Sequence, residues 1–135
     1  MGATWFVSAL NVEFAEYLDD HGVAHPPPEA NAAGPTPRRV FEVLQTFPEY
    51  TQRVRRRDRP GKGESVYIEL RRADGSYAIE INLPGVKDDD RPALLCFAYY
   101  RETEELVRIV QRLAATCGPL VLWHDSGENP ILVTE

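Results

Sequence analysis

The segment Ser65–Leu83 (SVYIELRRADGSYAIEINL) constrains the fold more than any other stretch of this 135-residue chain. Apolar and polar residues alternate on both sides of Asp74-Gly75. That dipeptide between alternating runs is the strongest short-range signal for a β-hairpin. Closing a two-residue turn there pairs residues whose numbers sum to 149, so Val66 faces Leu83, Ile68 faces Ile81 and Leu70 faces Ile79. All three apolar pairs fall on one face, and a one-residue slip would throw them onto the other. The opposite face then carries Tyr67, Glu69 and Arg71 across from Asn82, Glu80 and Ala78.

A hairpin with one apolar face must bury that face against other elements. Thr4–Leu10 reads as a strand leading into a helix over Val12–His21, with Asn11 as N-cap and Gly22 just past its end. A single helix through Phe6, Leu10, Phe14, Tyr17 and Leu18 is the rival reading of the same stretch. His25 to Pro37, with three consecutive prolines, reads as an extended surface loop. Thr36-Pro37 starts a second helix, whose apolar face is Val40, Phe41, Leu44 and Phe47 before Pro48 stops it. Gln52–Arg59 suits an edge strand, because alternating arginines resist edge-to-edge pairing. Pro60-Gly61-Lys62-Gly63 follows as a loop.

Ala93–Tyr100 (ALLCFAYY) reads as a central strand covered on both sides for part of its length. Thr103, followed by Glu104 and Glu105, predicts a helix with Thr103 as cap and both acids in the first turn, where the dipole favours them. Leu106, Val110, Leu113 and Cys117 fall at helical spacing, and Gly118-Pro119 ends the run. Leu120–Asp125 and Ile131–Thr134 are two more strands. The expected architecture is a single α+β domain over residues 1–135: a mainly antiparallel sheet of five or six strands, with two or three helices packed on one face.

Charge narrows the partners. The formal net charge is −6. Residues 1–37 hold five acids and no Lys or Arg, whereas residues 38–72 hold ten of the fifteen basic residues. An acidic whole disfavours non-specific nucleic-acid binding, yet it leaves room for a basic patch. Arg53, Arg55, Arg57 and Arg59 share one face if the segment is extended, and Tyr50 could stack a base beside them. Either the fold brings the acidic segments onto this run and neutralises it, or it presents two surfaces of opposite sign. No basic n-region precedes an early apolar run, and no apolar run is long enough to cross a bilayer. The two cysteines therefore read as free thiols of a cytoplasmic protein.

Candidate chemistry is sparse. Glu69 and Glu80, opposed across the hairpin, could share a proton or hold a hard cation; water and Arg71 would otherwise screen them. His124-Asp125-Ser126 has the residue types of a hydrolase triad, but neighbours on a strand point to opposite faces and no nucleophile elbow surrounds Ser126. His21 and His25 are separated by helix breakers, Asp88-Asp89-Asp90 lacks the spacing of a calcium loop, and Gly61-Lys62-Gly63 is no phosphate loop. No metal or cofactor is expected.

The residues point to a small, non-catalytic, bacterial-style protein that binds another protein. An immunity or antitoxin-type inhibitor, steered by its net charge to a basic toxin or enzyme, is the specific expectation. Its contacts would come from Tyr67, Glu69, Arg71, Glu80 and Asn82 on the hairpin, with Arg53, Arg55 and Arg57 beside them. The alternatives are a small enzyme built on the Glu69/Glu80 pair and a nucleic-acid-binding module using Arg53–Lys62.

Overall fold

Among the described residues, the alternating segments assemble into one antiparallel sheet of seven strands. The computed structural model describes residues 4–100 and 102–135. In chain order the elements are β1 (Trp5–Ala9), α1 (Val12–Asp20), α2 (Pro37–Leu44), β2 (Tyr50–Arg59), β3 (Gly63–Arg72), β4 (Tyr77–Val86), β5 (Leu95–Tyr100), α3 (Thr103–Cys117), β6 (Leu120–His124) and β7 (Ile131–Val133). The sheet order is β2-β3-β4-β5-β1-β6-β7. The chain is thus α+β, with more strands than the five or six expected. Residues 4–10 take the strand reading: β1 lies between β5 and β6 and pairs antiparallel with both. Because β5 and β6 flank β1 in this way they are parallel to each other, and α3 makes the long connection that parallel strands require.

The β3–β4 register follows the apolar alternation. Val66 lies opposite Leu83, Ile68 opposite Ile81 and Leu70 opposite Ile79, and all six are fully buried. The turn differs from the expected two-residue form. Ala73, Asp74 and Gly75 form a three-residue loop, closed by the Arg72 N–H to Ser76 carbonyl bond at 2.9 Å, with Gly75 at φ +83°. A three-residue hairpin loop needs a left-handed residue at its end, which Gly supplies. The extra residue displaces the pairing, so Arg71 lies opposite Tyr77 and not opposite Ala78.

Helices cover both faces, not one. Val40, Val43 and Leu44 of α2 and Leu106, Ile109, Val110 and Leu113 of α3 share a core with Ile68, Ile81, Phe97 and Leu122. Ala15 and Leu18 of α1 instead pack on Val121, with Trp123 and Leu132 against them. Successive strand residues point to opposite faces, so Val121 and Leu122 report two different layers. α1 therefore caps the second face over β6 and β7, while that face of β2–β5 carries no helix among the described residues.

Local chemistry explains the helix ends. The Asn11 side chain accepts the Phe14 N–H at 2.9 Å, and the Thr36 hydroxyl accepts that of Arg39 at 3.2 Å ahead of Pro37. Thr103 is not a cap. It is the first residue of α3, and Glu102 occupies the cap position without a side-chain bond. Between α1 and α2 the Pro-rich segment carries the chain from one face to the other. Twelve residues of polyproline II span about 37 Å, ample for that crossing. Glu29 N–H to the Leu10 carbonyl (3.3 Å) and Ala93 N–H to the Pro35 carbonyl (3.4 Å) fasten it. His25 bonds the Pro26 carbonyl and Asp19 at 2.8 Å each, and these contacts hold its imidazole above the usual pKa. Among the described residues, no helix is long and apolar enough to cross a membrane.

Candidate functional site

The open face of β2–β5 gathers every residue expected to make contacts. In the β2–β3 ladder Arg53 lies opposite Glu69, Arg55 opposite Tyr67 and Arg57 opposite Ser65. In the β3–β4 ladder Tyr67 lies opposite Asn82 and Glu69 opposite Glu80. Alternation puts the apolar partners Val66, Ile68 and Leu70 on the helix-covered face, so all of these polar residues share the other one. Four strands, three spacings of about 4.8 Å, set the outer strands of the patch about 14 Å apart.

The patch is richer in aromatic residues than the alternation predicts, because two bulges add to it. The shift at Ala78 places Tyr77 opposite Arg71, and a second shift in β5 places Tyr99 opposite Glu80. Tyr99 is 56% exposed. The Tyr77 and Tyr99 rings meet edge to face at 6.3 Å, the Arg71 guanidinium sits 5.5 Å from the Tyr77 ring, and Arg55 sits 5.7 Å from the Tyr67 ring. Burial and then the Glu80 and Glu69 carboxylates push the Tyr77 phenol up to about 12, so it remains a neutral donor. No local sequence signal marks these bulges; only the pairing reveals that Tyr77 and Tyr99 face outwards.

The opposed carboxylates are not a bare pair. The Arg71 Nε donates to Glu69, and its Nη1 donates to the Gly75 carbonyl at 2.8 Å. One guanidinium thus ties a carboxylate of the face to the hairpin turn. Among the described residues, no group of three or more His, Cys, Asp or Glu is placed to hold a metal ion.

The arginine run is only partly neutralised. Arg56 points to the other face, where it meets Asp89 at 2.9 Å, Glu64 at 3.3 Å and the Phe41 ring at 5.4 Å. Arg53, Arg55, Arg57 and Arg59 make no ion pair among the described residues. Among the described residues the open face therefore presents five guanidinium groups, counting Arg71, against the carboxylates of Glu69 and Glu80. The acids of α1 lie over β6, five strand spacings from β2, or about 24 Å. That exceeds the screening length of about 8 Å at physiological salt, so the two charge clusters do not neutralise each other.

Beside this surface a cavity of about 330 Å³ is lined by residues that include Phe6, Arg59, Tyr67, Asn82, Cys96 and Ala98. Burial pushes the Cys96 thiol up to about 11, which keeps it protonated and unreactive at neutral pH. Nothing local in the sequence places Cys96 at a cavity shared with Arg59.

One expected role fails on geometry. Tyr50 is no base-stacking platform: it is buried, and its hydroxyl donates to Glu105 Oε2 at 2.5 Å. Arg72 Nη2 donates to the other Glu105 oxygen, so the acid assigned to the helix dipole is the centre of a buried Tyr–Glu–Arg link between the sheet and α3. His124 and Ser126, two apart and so on one face, meet where β6 ends at His124 and the chain turns back. Ser126 Oγ lies 2.6 Å from His124 Nδ1, and Asp125 Oδ1 lies 3.7 Å from the same atom. A relay needs the hydroxyl and the acid on opposite ring nitrogens. Here His124 Nε2 is buried and without a partner among the described residues, so the cluster closes a turn and forms no relay.

Comparison with protein-family models, curated proteins and solved structures finds no match for this chain.

Proposed function

We propose that this protein is a non-catalytic binding protein of the inhibitor class, an immunity or antitoxin-type module, and that its partner docks on the open face of β2–β5. One observation carries the reading: the half of the second face that α1 leaves uncovered is where Arg and Tyr side chains concentrate. Those residue types dominate interface hot spots, because each combines a large contact area with a polar tip. The Arg–Tyr contacts also hold these side chains in place before binding, which lowers the ordering cost of association. The engagement of Glu69 by Arg71 supports a contact role for the carboxylates over an acid–base one.

The local charge revises the chemistry of the partner. A net charge of −6 suggested a basic partner; five guanidiniums against two carboxylates favour an acidic docking surface on the protein that binds here. Tagged protein recovered from its source cells tests this. A stoichiometric partner should accompany the wild type, be lost with Arg55→Glu/Arg57→Glu and with Tyr67→Ala, and be retained with Glu13→Gln/Glu16→Gln on α1. Retention of the partner by the face variants would overturn the reading. So would a catalytic activity of the purified protein that disappears with Glu69→Gln or Glu80→Gln.

A further inference from the structure

We propose that β2 is a strand-addition site, at which the free outer edge accepts an extended segment of the partner bearing carboxylates at every second residue. The proposal rests on the open-face reading and specifies how the partner engages it. β2 is the terminal strand of the sheet and pairs with β3 through ten consecutive positions without a register shift. Every residue from Thr51 to Arg59 is exposed, so the outward backbone N–H and C=O groups form an open template. Proteins usually blunt such an edge by shortness, a bulge, a proline or a covering element. β7, at the opposite edge, has only three residues; β2 is long and regular, and Pro60 stands beyond its end.

Charge is what guards this edge, and charge discriminates. Arg53, Arg55 and Arg57 recur at every second position on one face. Antiparallel pairing of two copies through β2 would set these rows against each other, and like charges directly opposite are destabilising. A strand with Glu or Asp at alternate positions converts the same row into cross-strand ion pairs while its backbone completes the ladder. On the other face Val54 is 42% exposed between Gln52 and Arg56, which suits a β-branched residue at the intervening positions. The edge is therefore closed to a second copy and open to an acidic strand, whose flanking chain would then lie across Tyr67 and Tyr99.

A blocked nine-residue peptide of alternating Glu and Thr is the probe, titrated at low salt into the isotopically labelled full chain and followed by NMR and amide hydrogen exchange. The expected result is saturable binding that slows exchange at every second amide between Thr51 and Arg57. N-methylation of the peptide along one edge should weaken it at least tenfold. A Lys–Thr peptide should not bind the wild type but should bind Arg53→Glu/Arg55→Glu/Arg57→Glu. Shifts at Tyr67, Glu80 and Tyr99 without protection of β2 amides would overturn strand addition and leave the open-face reading standing. Perturbation of neither region would sink both. Equal binding of oligo-glutamate or of single-stranded DNA, again without amide protection, would show attraction by charge alone and overturn the proposal.

Discussion

Glu105 shows how differently a residue reads in sequence and in space. In the first turn of α3 it looks like a dipole-compensating acid on the surface, yet it is 9% exposed and takes hydrogen bonds from Tyr50 and Arg72. Removing one member of a buried charge-bonded set leaves the others desolvated and unpaired, which costs more than the bond itself contributes. Glu105→Ala is expected to destabilise the protein by about 2–3 kcal/mol, below the full buried-pair penalty because Arg72 reaches solvent. Tyr50→Phe should cost about 1 kcal/mol, since it removes one hydrogen bond and retains the packing. Urea denaturation measures both; a loss below about 0.5 kcal/mol for Glu105→Ala, half of the smallest penalty for leaving a buried partner unsatisfied, would show that the link is not structural. Nothing local in the sequence marks this set, because β2–β3 pairing sets Tyr50 opposite Arg72 and the packing of α3 on the sheet brings Glu105 to both.

At the level of elements, the hairpin was legible because Asp74-Gly75 marks the turn and the apolar alternation fixes the pairing of Val66, Ile68 and Leu70 with Leu83, Ile81 and Ile79. Its irregularities were not. The shift at Ala78 accompanies the three-residue turn and the one in β5 arises from pairing with β4; they reassign Tyr77 and Tyr99 to the outer face without altering the apolar pattern. Glycine illustrates the same divide. Gly75 has φ +83° and open space around it, so Gly75→Ala should cost about 1 kcal/mol for the left-handed backbone alone. Gly63 has φ +80°, and a Cβ there would stand 2.7 Å from the Val86 carbonyl oxygen. Gly63→Ala should therefore be the costlier change by at least about 1 kcal/mol, because backbone must move as well. Thermal or urea unfolding of the two variants decides this, and equal losses would contradict the close β3–β4 approach. Sequence reading placed Gly63 in a loop; its packing role comes from the next strand. The edge position of β2, by contrast, was readable from the arginine alternation itself.

Across the whole molecule, the uneven charge of the chain becomes a spatial arrangement. The acids of α1 and the arginines of β2 occupy the same side of the sheet but opposite ends of it, so the chain neither cancels its basic run nor spreads its charge evenly. The expected one-sided helix layer would have left an entire face free; α1 restricts the open area to β2–β5 and thereby defines the candidate site. Sequence could not show this, since the amphipathic pattern of α1 fits either face equally well. The most direct test of a partner on that area is site-specific photo-crosslinking in the source cells. A photoreactive phenylalanine analogue replacing Tyr67 should capture a single partner protein. The same analogue replacing Gln111, exposed on α3 across the sheet, should capture none. Capture of that partner from position 111 and not from position 67 would contradict the account.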